Sequence, residues 1–336
     1  MNSLRFPQFV AKALQAKGFR TATPLSTRPR FIRSAGLQST ATASLAEICL
    51  GRKFLLNNSI PLRLVGAMEE KYFQLPLGTR FTAPSRDLGL KMKEGFALAL
   101  QENGVAVIEL GFQDPKSDFM LELVEAMGCV PDTHSHTQGA LWEVTYKPSG
   151  VISTKMGTTA HSRSHDIGEF TWHTDASFEA RPPRFFGLHI VHPDNLGGGI
   201  FCVLPAGNLV EALSTRSVEA LLRTEFDIQV PAEFYKGRTT NKGRLLEVDA
   251  ATGHYLLRFR RDILASPPSS DPEANAAVEE LTTLLDNPGT TGWRFPDDVF
   301  KENVILLMDN ARFLHMRTEI RDKRRLLRRV RFHGPN

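Results

Sequence analysis

His173 and Asp175 stand two residues apart in the stretch Trp172-His173-Thr174-Asp175. Side chains with that spacing point to the same side of an extended strand. An imidazole nitrogen and a carboxylate oxygen then converge on one point. A third donor, His315, follows 140 residues after Asp175, just beyond the apolar run Val304 to Met308. Two histidines and one carboxylate leave about half of an octahedral metal's positions open to outside ligands. The cluster Arg324-Arg325-Leu326-Leu327-Arg328-Arg329 comes next, and its guanidinium forks suit an acidic co-substrate held against that metal. His-x-Asp alone also describes a histidine merely oriented by a carboxylate. The strand setting, the strand-end placement of His315 and the arginines that follow it favour a metal site.

The elements that must position these groups are mostly short strands. Ser85-Arg86-Asp87, just after Pro84, opens a predicted helix that runs through Phe96, Leu98 and Leu100 and ends at Asn103-Gly104. Val105 to Leu110 is a strand, and Ser117 to Met127 a helix with Phe119, Leu121, Leu123 and Val124 inward. Residues 130 to 168 are polar and read as long loops around a strand near Leu141 to Tyr146. Strands are expected at Phe185 to Val191 and Ile200 to Leu204, then a helix over residues 206 to 224. Two short strands flank Ala251-Thr252-Gly253, and Glu273 to Leu285 has helical spacing. Strands over 303 to 309 and Leu326 to Phe332 complete the chain. Many short strands with few helices indicate a mainly β, closed or sandwiched architecture with peripheral helices.

The chain has 336 residues and 41% hydrophobic content, enough for a substantial core. Cys49, Cys129 and Cys202 are odd in number and far apart, which argues against a disulfide framework or a thiolate zinc site. No apolar run is long enough to span a bilayer, so no membrane partner is expected. The net charge of +4 is set by the first 33 residues, with seven basic groups and no acidic one. The remainder holds 34 basic and 37 acidic residues, so no global polyanion-binding surface is indicated. Residues 1–45, rich in Arg, Ser, Thr and Ala, read as a mitochondrial transit peptide, or else as a disordered tail of a cytoplasmic protein. Residues 46–79 form an N-terminal extension, and 80–336 the main domain.

Other clusters invite other readings. His134, His136, His161 and His165 lack accompanying cysteines or acids and read as loop histidines. Gly197-Gly198-Gly199 lacks the Lys-Ser/Thr of a P-loop and reads as a tight turn beside the active site. The C-terminal arginines resemble a nucleic-acid patch, but strand periodicity puts Arg325, Leu327 and Arg329 on one face and Leu326 and Arg328 on the other. That is a split between pocket and surface, and no nucleic-acid partner is expected.

Taken together, Phe170 to Asp175, Pro182-Pro183, Gly197-Gly198-Gly199 and the segment from Asp309-Asn310 through His315 to Arg329 resemble the taurine dioxygenase and clavaminate synthase-like family. The resemblance spans roughly residues 80 to 333. It implies a double-stranded β-helix, or jelly roll, and an Fe(II)- and 2-oxoglutarate-dependent dioxygenase that consumes O2. His173, Asp175 and His315 match the family's iron ligands. Arg325 matches the arginine on the distal carboxylate of 2-oxoglutarate, and Arg329 a second arginine at the co-substrate and substrate end. The expected reaction oxidises a small polar molecule, most simply by hydroxylation, with release of succinate and CO2. Desaturation, ring formation and homo-oligomer assembly stay open. A noncatalytic jelly-roll interaction module is the alternative from another class, and it would lack a stoichiometric iron site. Two positions depart from the taurine enzyme. Ile200 stands where a threonine helps bind 2-oxoglutarate. Glu169 replaces a substrate-facing asparagine, and this favours a substrate with a cationic or hydroxylated group.

Overall fold

The computed structural model describes residues 71–133, 139–148, 151–153, 159–287 and 292–335, with backbone alone for 151–153 and 159–161. The transit-peptide reading of residues 1–45 and the loop histidines His134 and His136 lie outside these residues, as does the side chain of His161.

The strands run β1 (Arg80–Ala83), β2 (Val105–Leu110), β3 (Val130–Asp132), β4 (Leu141–Thr145), β5 (Val151–Ser153), β6 (Thr159–His161), β7 (Phe170–His173), β8 (Phe185–His192) and β9 (Phe201–Pro205). They continue as β10 (Phe226–Gln229), β11 (Thr240–Gly243), β12 (Leu246–Val248), β13 (Tyr255–Leu257), β14 (Trp293–Arg294), β15 (Val304–Asp309), β16 (Phe313–Arg317) and β17 (Leu326–His333). A large sheet has the order β1-β2-β15-β8-β17-β3, with β4 also on β17. A four-stranded sheet has the order β14-β9-β16-β7. The pairs β5–β6, β10–β11 and β12–β13 are separate hairpins.

The apolar run Val304 to Met308 is apolar at every position because β15 is covered on both faces. Val304, Leu306 and Met308 face the main core, with Phe201, Val203 and Leu314 of the small sheet. Ile305 and Leu307 face a second core under the N-terminal helices, with Phe96, Phe119 and Leu123. Large side chains such as these stabilise by about 1.5–3 kcal/mol each when fully buried, so the large sheet is a stiff wall for whatever its inner face carries.

Among the described residues, six α-helices lie around the strands: α1 (Arg86–Lys91), α2 (Lys93–Asn103), α3 (Asp118–Ala126), α4 (Ala206–Ala212), α5 (Thr215–Arg223) and α6 (Pro272–Asp286). The helix expected from Ser85 to Asn103 is two helices that break at Met92. Ser85 caps the first by accepting from the Leu88 N–H, and Gly104 ends the second at φ 73°. The helix expected over 206–224 is also two, because Ser214 turns the chain and caps α5 through the Ser217 N–H. Single-helix periodicity does not register these internal caps. Contacts with the body also start before residue 80: the Phe73 N–H donates to the Arg294 carbonyl at 2.8 Å.

Candidate active site

β7 and β16 pair antiparallel with His173 directly opposite His315. This register brings together two imidazoles that are 142 positions apart in the chain. Asp175 departs from the expected strand geometry. β7 ends at His173, and Asp175 lies in the following turn, where Ala176 takes φ 56°. The turn is fixed by side chains. Asn310 Oδ1 accepts from the Asp175 N–H at 2.7 Å, and Asn310 Nδ2 donates to the Asp175 carbonyl at 2.9 Å. The Thr174 N–H donates to the Phe259 carbonyl, and the Phe259 N–H returns a bond to Thr174 Oγ1. Asn310 thus acts as a strand partner for a residue that has left its strand.

The three donors converge. Asp175 Oδ1 lies 3.8 Å from His173 Nε2 and 3.9 Å from His315 Nε2. His173, Asp175 and His315 form the one cluster of metal-ligating groups found among the described residues. The Thr171 carbonyl, which only accepts, takes a bond from His173 Nδ1 at 2.7 Å. His173 therefore carries its proton on Nδ1 and presents a lone pair at Nε2, the tautomer a metal needs. Burial, followed by the neighbouring His315, drives the His173 pKa well below its usual value. Burial also takes His315 to about 4. For Asp175, burial alone would favour the neutral acid, but Arg329, His315 and His173 outweigh it and hold its pKa at about 2. The set is two neutral imidazoles and one carboxylate near neutral pH, and this donor chemistry fits a divalent iron.

Arg325 lies just before β17, not within it, and is 5% exposed. Burial and the charge of Arg317 push its pKa down to about 9. Its Nη1 has no hydrogen-bond partner. It shares a pocket with His173, Asp175 and His315, walled by Phe186, Leu188, Phe201 and Leu327. An unpartnered buried guanidinium beside a metal-ligand set fits the distal carboxylate of a 2-oxo diacid. The glycine turn lies against this arginine: a Cβ on Gly199, itself at φ 62°, would sit 3.2 Å from Arg325 Nε. Asp194 ties the turn to the arginine's own loop. Its carboxylate accepts from the N–H groups of Leu196 and Gly198 on one side and of Arg321 and Asp322 on the other.

Arg329 lines this cavity and a second one, but its Nη1 is already engaged with both oxygens of Asp175. The alternation expected in the basic run holds: Arg325, Leu327, Arg329 and Arg331 are buried, while Arg328 on the other face reaches the Pro115 carbonyl. Glu169 does not do what its sequence position suggests. It is exposed and lines neither cavity. Ile200 lines neither as well, and Ser164 carries the one hydroxyl among the described residues around the Arg325 cavity. His165 is a core residue that stacks on Trp142 at 5.6 Å. Sequence reasoning missed Arg317, which donates to the Gly168 and Asp166 carbonyls and pins the loop entering β7. Its position two residues after His315, on the same strand face, was the available signal.

The family model for the taurine catabolism dioxygenase TauD, TfdA family matches residues 71–331. The chain belongs to the TauD/TfdA family. Solved structures similar to this member share its fold. An asparagine oxygenase in complex with Fe(II), 3-hydroxyasparagine and succinate aligns with TM-score 0.55 and 15% identity, over 74% of this chain and 83% of its own. The non-haem iron oxygenase OrfP, with Fe and α-ketoglutaric acid, aligns with TM-score 0.54 and 16% identity, over 75% and 80%. AAD-2, with Mn(II) and N-oxalylglycine, aligns with TM-score 0.55 and 16% identity, over 74% and 90%. At these identities the likeness establishes the jelly roll. A search of curated proteins gave no match.

Proposed function

We propose that this TauD/TfdA member is an Fe(II)- and 2-oxoglutarate-dependent dioxygenase that hydroxylates a small polar substrate. The observation that carries the reading is Arg325, a buried guanidinium with an open Nη1 in the cavity that also holds His173, Asp175 and His315. The family membership and the similar structures solved with iron and 2-oxo acids support it. An interaction module has no use for three converging metal donors and an unpaired buried cation.

His173, Asp175 and His315 would hold the iron. Bound there, the metal supplies the redox chemistry: 2-oxoglutarate and O2 give succinate and CO2, and the second oxygen atom enters a substrate C–H bond. The rest belongs to the chain. Arg325 grips the far carboxylate of the co-substrate with two parallel charged hydrogen bonds. Phe186, Leu188, Phe201 and Leu327 keep water from the reacting groups. Arg329 fixes the orientation of the Asp175 carboxylate. The test is succinate release from 2-oxoglutarate with Fe(II), ascorbate and O2. Iron binding without 2-oxoglutarate consumption, across a broad panel of small acids and amino acids, would leave the scaffold but remove the reaction class.

The basic, acid-free first segment supports a mitochondrial address that ends near residues 33 to 45. N-terminal sequencing of the protein from its native host tests this, and an intact cytosolic Met1 form would count against it.

A further inference from the structure

Arg325 is the last residue before β17, and the two strands that flank β17 treat this end differently. On the β8 side the register slips: Leu327 faces Ile190, but Leu326 faces His192 and Val191 is left over. A slip of this kind disrupts the ladder locally, here one residue short of Arg325. On the β4 side the pairing is regular from Val330 opposite Leu141 to Leu326 opposite Thr145. Thr145, the last residue of β4, supplies the next contact with its side chain. Its Oγ1 donates to the Arg325 carbonyl at 2.9 Å. The Arg325 N–H donates to the Asp322 carbonyl at 3.0 Å. One backbone group of Arg325 is thus held by its own loop and the other by β4.

Thr145 is itself braced. Its carbonyl accepts from His165 Nδ1 at 3.0 Å, and the His165 carbonyl takes the Lys147 N–H at 3.2 Å. His165 therefore grips the chain on both sides of Tyr146. Its ring is fully buried and lies nearly parallel to Trp142, at 11°, and Trp142 is also fully buried, three residues before Thr145 on β4. The Arg325 side chain has little room to absorb a backbone shift. It is buried, and the Gly199 turn presses on Nε from the other side. A binding group of this kind works within roughly 0.5 Å of its productive position and depends on the residues behind it.

We propose that Thr145 is a positioning residue for co-substrate binding: its hydroxyl sets the backbone of Arg325, and His165, stacked on Trp142, sets Thr145. Thr145 lines neither cavity, so it acts only through the arginine. The proposal rests on the oxygenase reading for what Arg325 grips.

The experiment is calorimetric titration of the Fe(II) protein with 2-oxoglutarate in the absence of O2, beside a separate Fe(II) titration. Thr145→Val keeps the shape and loses the hydroxyl. It is expected to lower 2-oxoglutarate affinity by about 3- to 10-fold, the range of one net hydrogen bond, with Fe(II) affinity retained. Thr145→Ser, which keeps the hydroxyl, should bind 2-oxoglutarate close to wild type. His165→Phe keeps a ring on Trp142 and loses the Nδ1 donor, so it should weaken 2-oxoglutarate in the same direction. The double variant Thr145→Val, His165→Phe should be little weaker than Thr145→Val alone, because both changes act through one contact. Thr145→Ala carries the test if the valine variant does not fold. Wild-type 2-oxoglutarate affinity in Thr145→Val, a serine variant as weak as the valine one, or Fe(II) affinity that falls in step overturns the proposal, and additive losses in the double variant overturn the link through His165. Failure of the oxygenase reading shows separately, as absence of Fe(II)-dependent 2-oxoglutarate binding by the wild type. The Arg325 Nε–H resonance in 15N-arginine-labelled protein, assigned by its absence in Arg325→Met, then reads the same contact. It should move in Thr145→Val and stay in Thr145→Ser, and a resonance unmoved in Thr145→Val overturns the proposal.

Discussion

Arg329 Nη1 donates to both carboxylate oxygens of Asp175, at 2.7 and 2.8 Å. Both side chains are buried. The bond holds the turn carboxylate charged and aimed before a metal arrives. Partners of this kind typically account for 10- to 100-fold in metal affinity. Arg329→Met is expected to weaken Fe(II) binding by about that factor, with Arg329→Lys intermediate. An anaerobic Fe(II) titration reads it, and wild-type affinity in Arg329→Met would show that the contact is incidental.

The triad itself is tested by alanine at His173, Asp175 and His315 in turn. Each variant should lose stoichiometric Fe(II) binding. Retained wild-type affinity in all three would remove the metal site. His165→Ala, which deletes a ring stacked on Trp142, should cost stability and leave iron stoichiometry at one. Melting curves and iron analysis separate the two effects.

Arg325→Met should reduce 2-oxoglutarate affinity by about 30-fold or more, since it removes a buried charged partner worth about 2–5 kcal/mol. Asp194→Ala tests the same contact at a distance. Its carboxylate ties the glycine turn to the loop that carries Arg325. The expected result is a raised KM for 2-oxoglutarate with Fe(II) affinity retained, and Asp194→Asn should partly restore it. Loss of iron binding in Asp194→Ala would instead indicate general unfolding.

Stability of the metal-free protein should fall as pH drops from about 6.5 to about 4. Burial lowers the pKa of His173, His315, His189 and His165 in the folded chain, to about 4 for His315 and His189. Between those values the unfolded chain binds more protons, so acid favours unfolding. Asp175, held at about 2, acts in the same direction at still lower pH. Urea midpoints measured across this range give the slope, and a flat profile would mean that these histidines are solvated.

The sequence by itself determined the donor set and its order. Residue type decides what can bind a metal, so His173, Asp175 and His315 are recognisable by type and spacing, and Arg325 by its match to the family's co-substrate arginine. Strand alternation separated Arg325 and Arg329 from Arg328. Only the tertiary structure decided how these groups are held. Asp175 reaches the site from a turn, because Asn310 and Arg329, each more than 130 residues away, supply its backbone and side-chain partners. Glu169 shows the limit: it aligns with a substrate-facing position yet is exposed to solvent. Local spacing fixes which side of a strand a residue occupies. What faces that side depends on β7, β16 and β17 meeting across two sheets, and those long-range pairings leave no local periodicity to read.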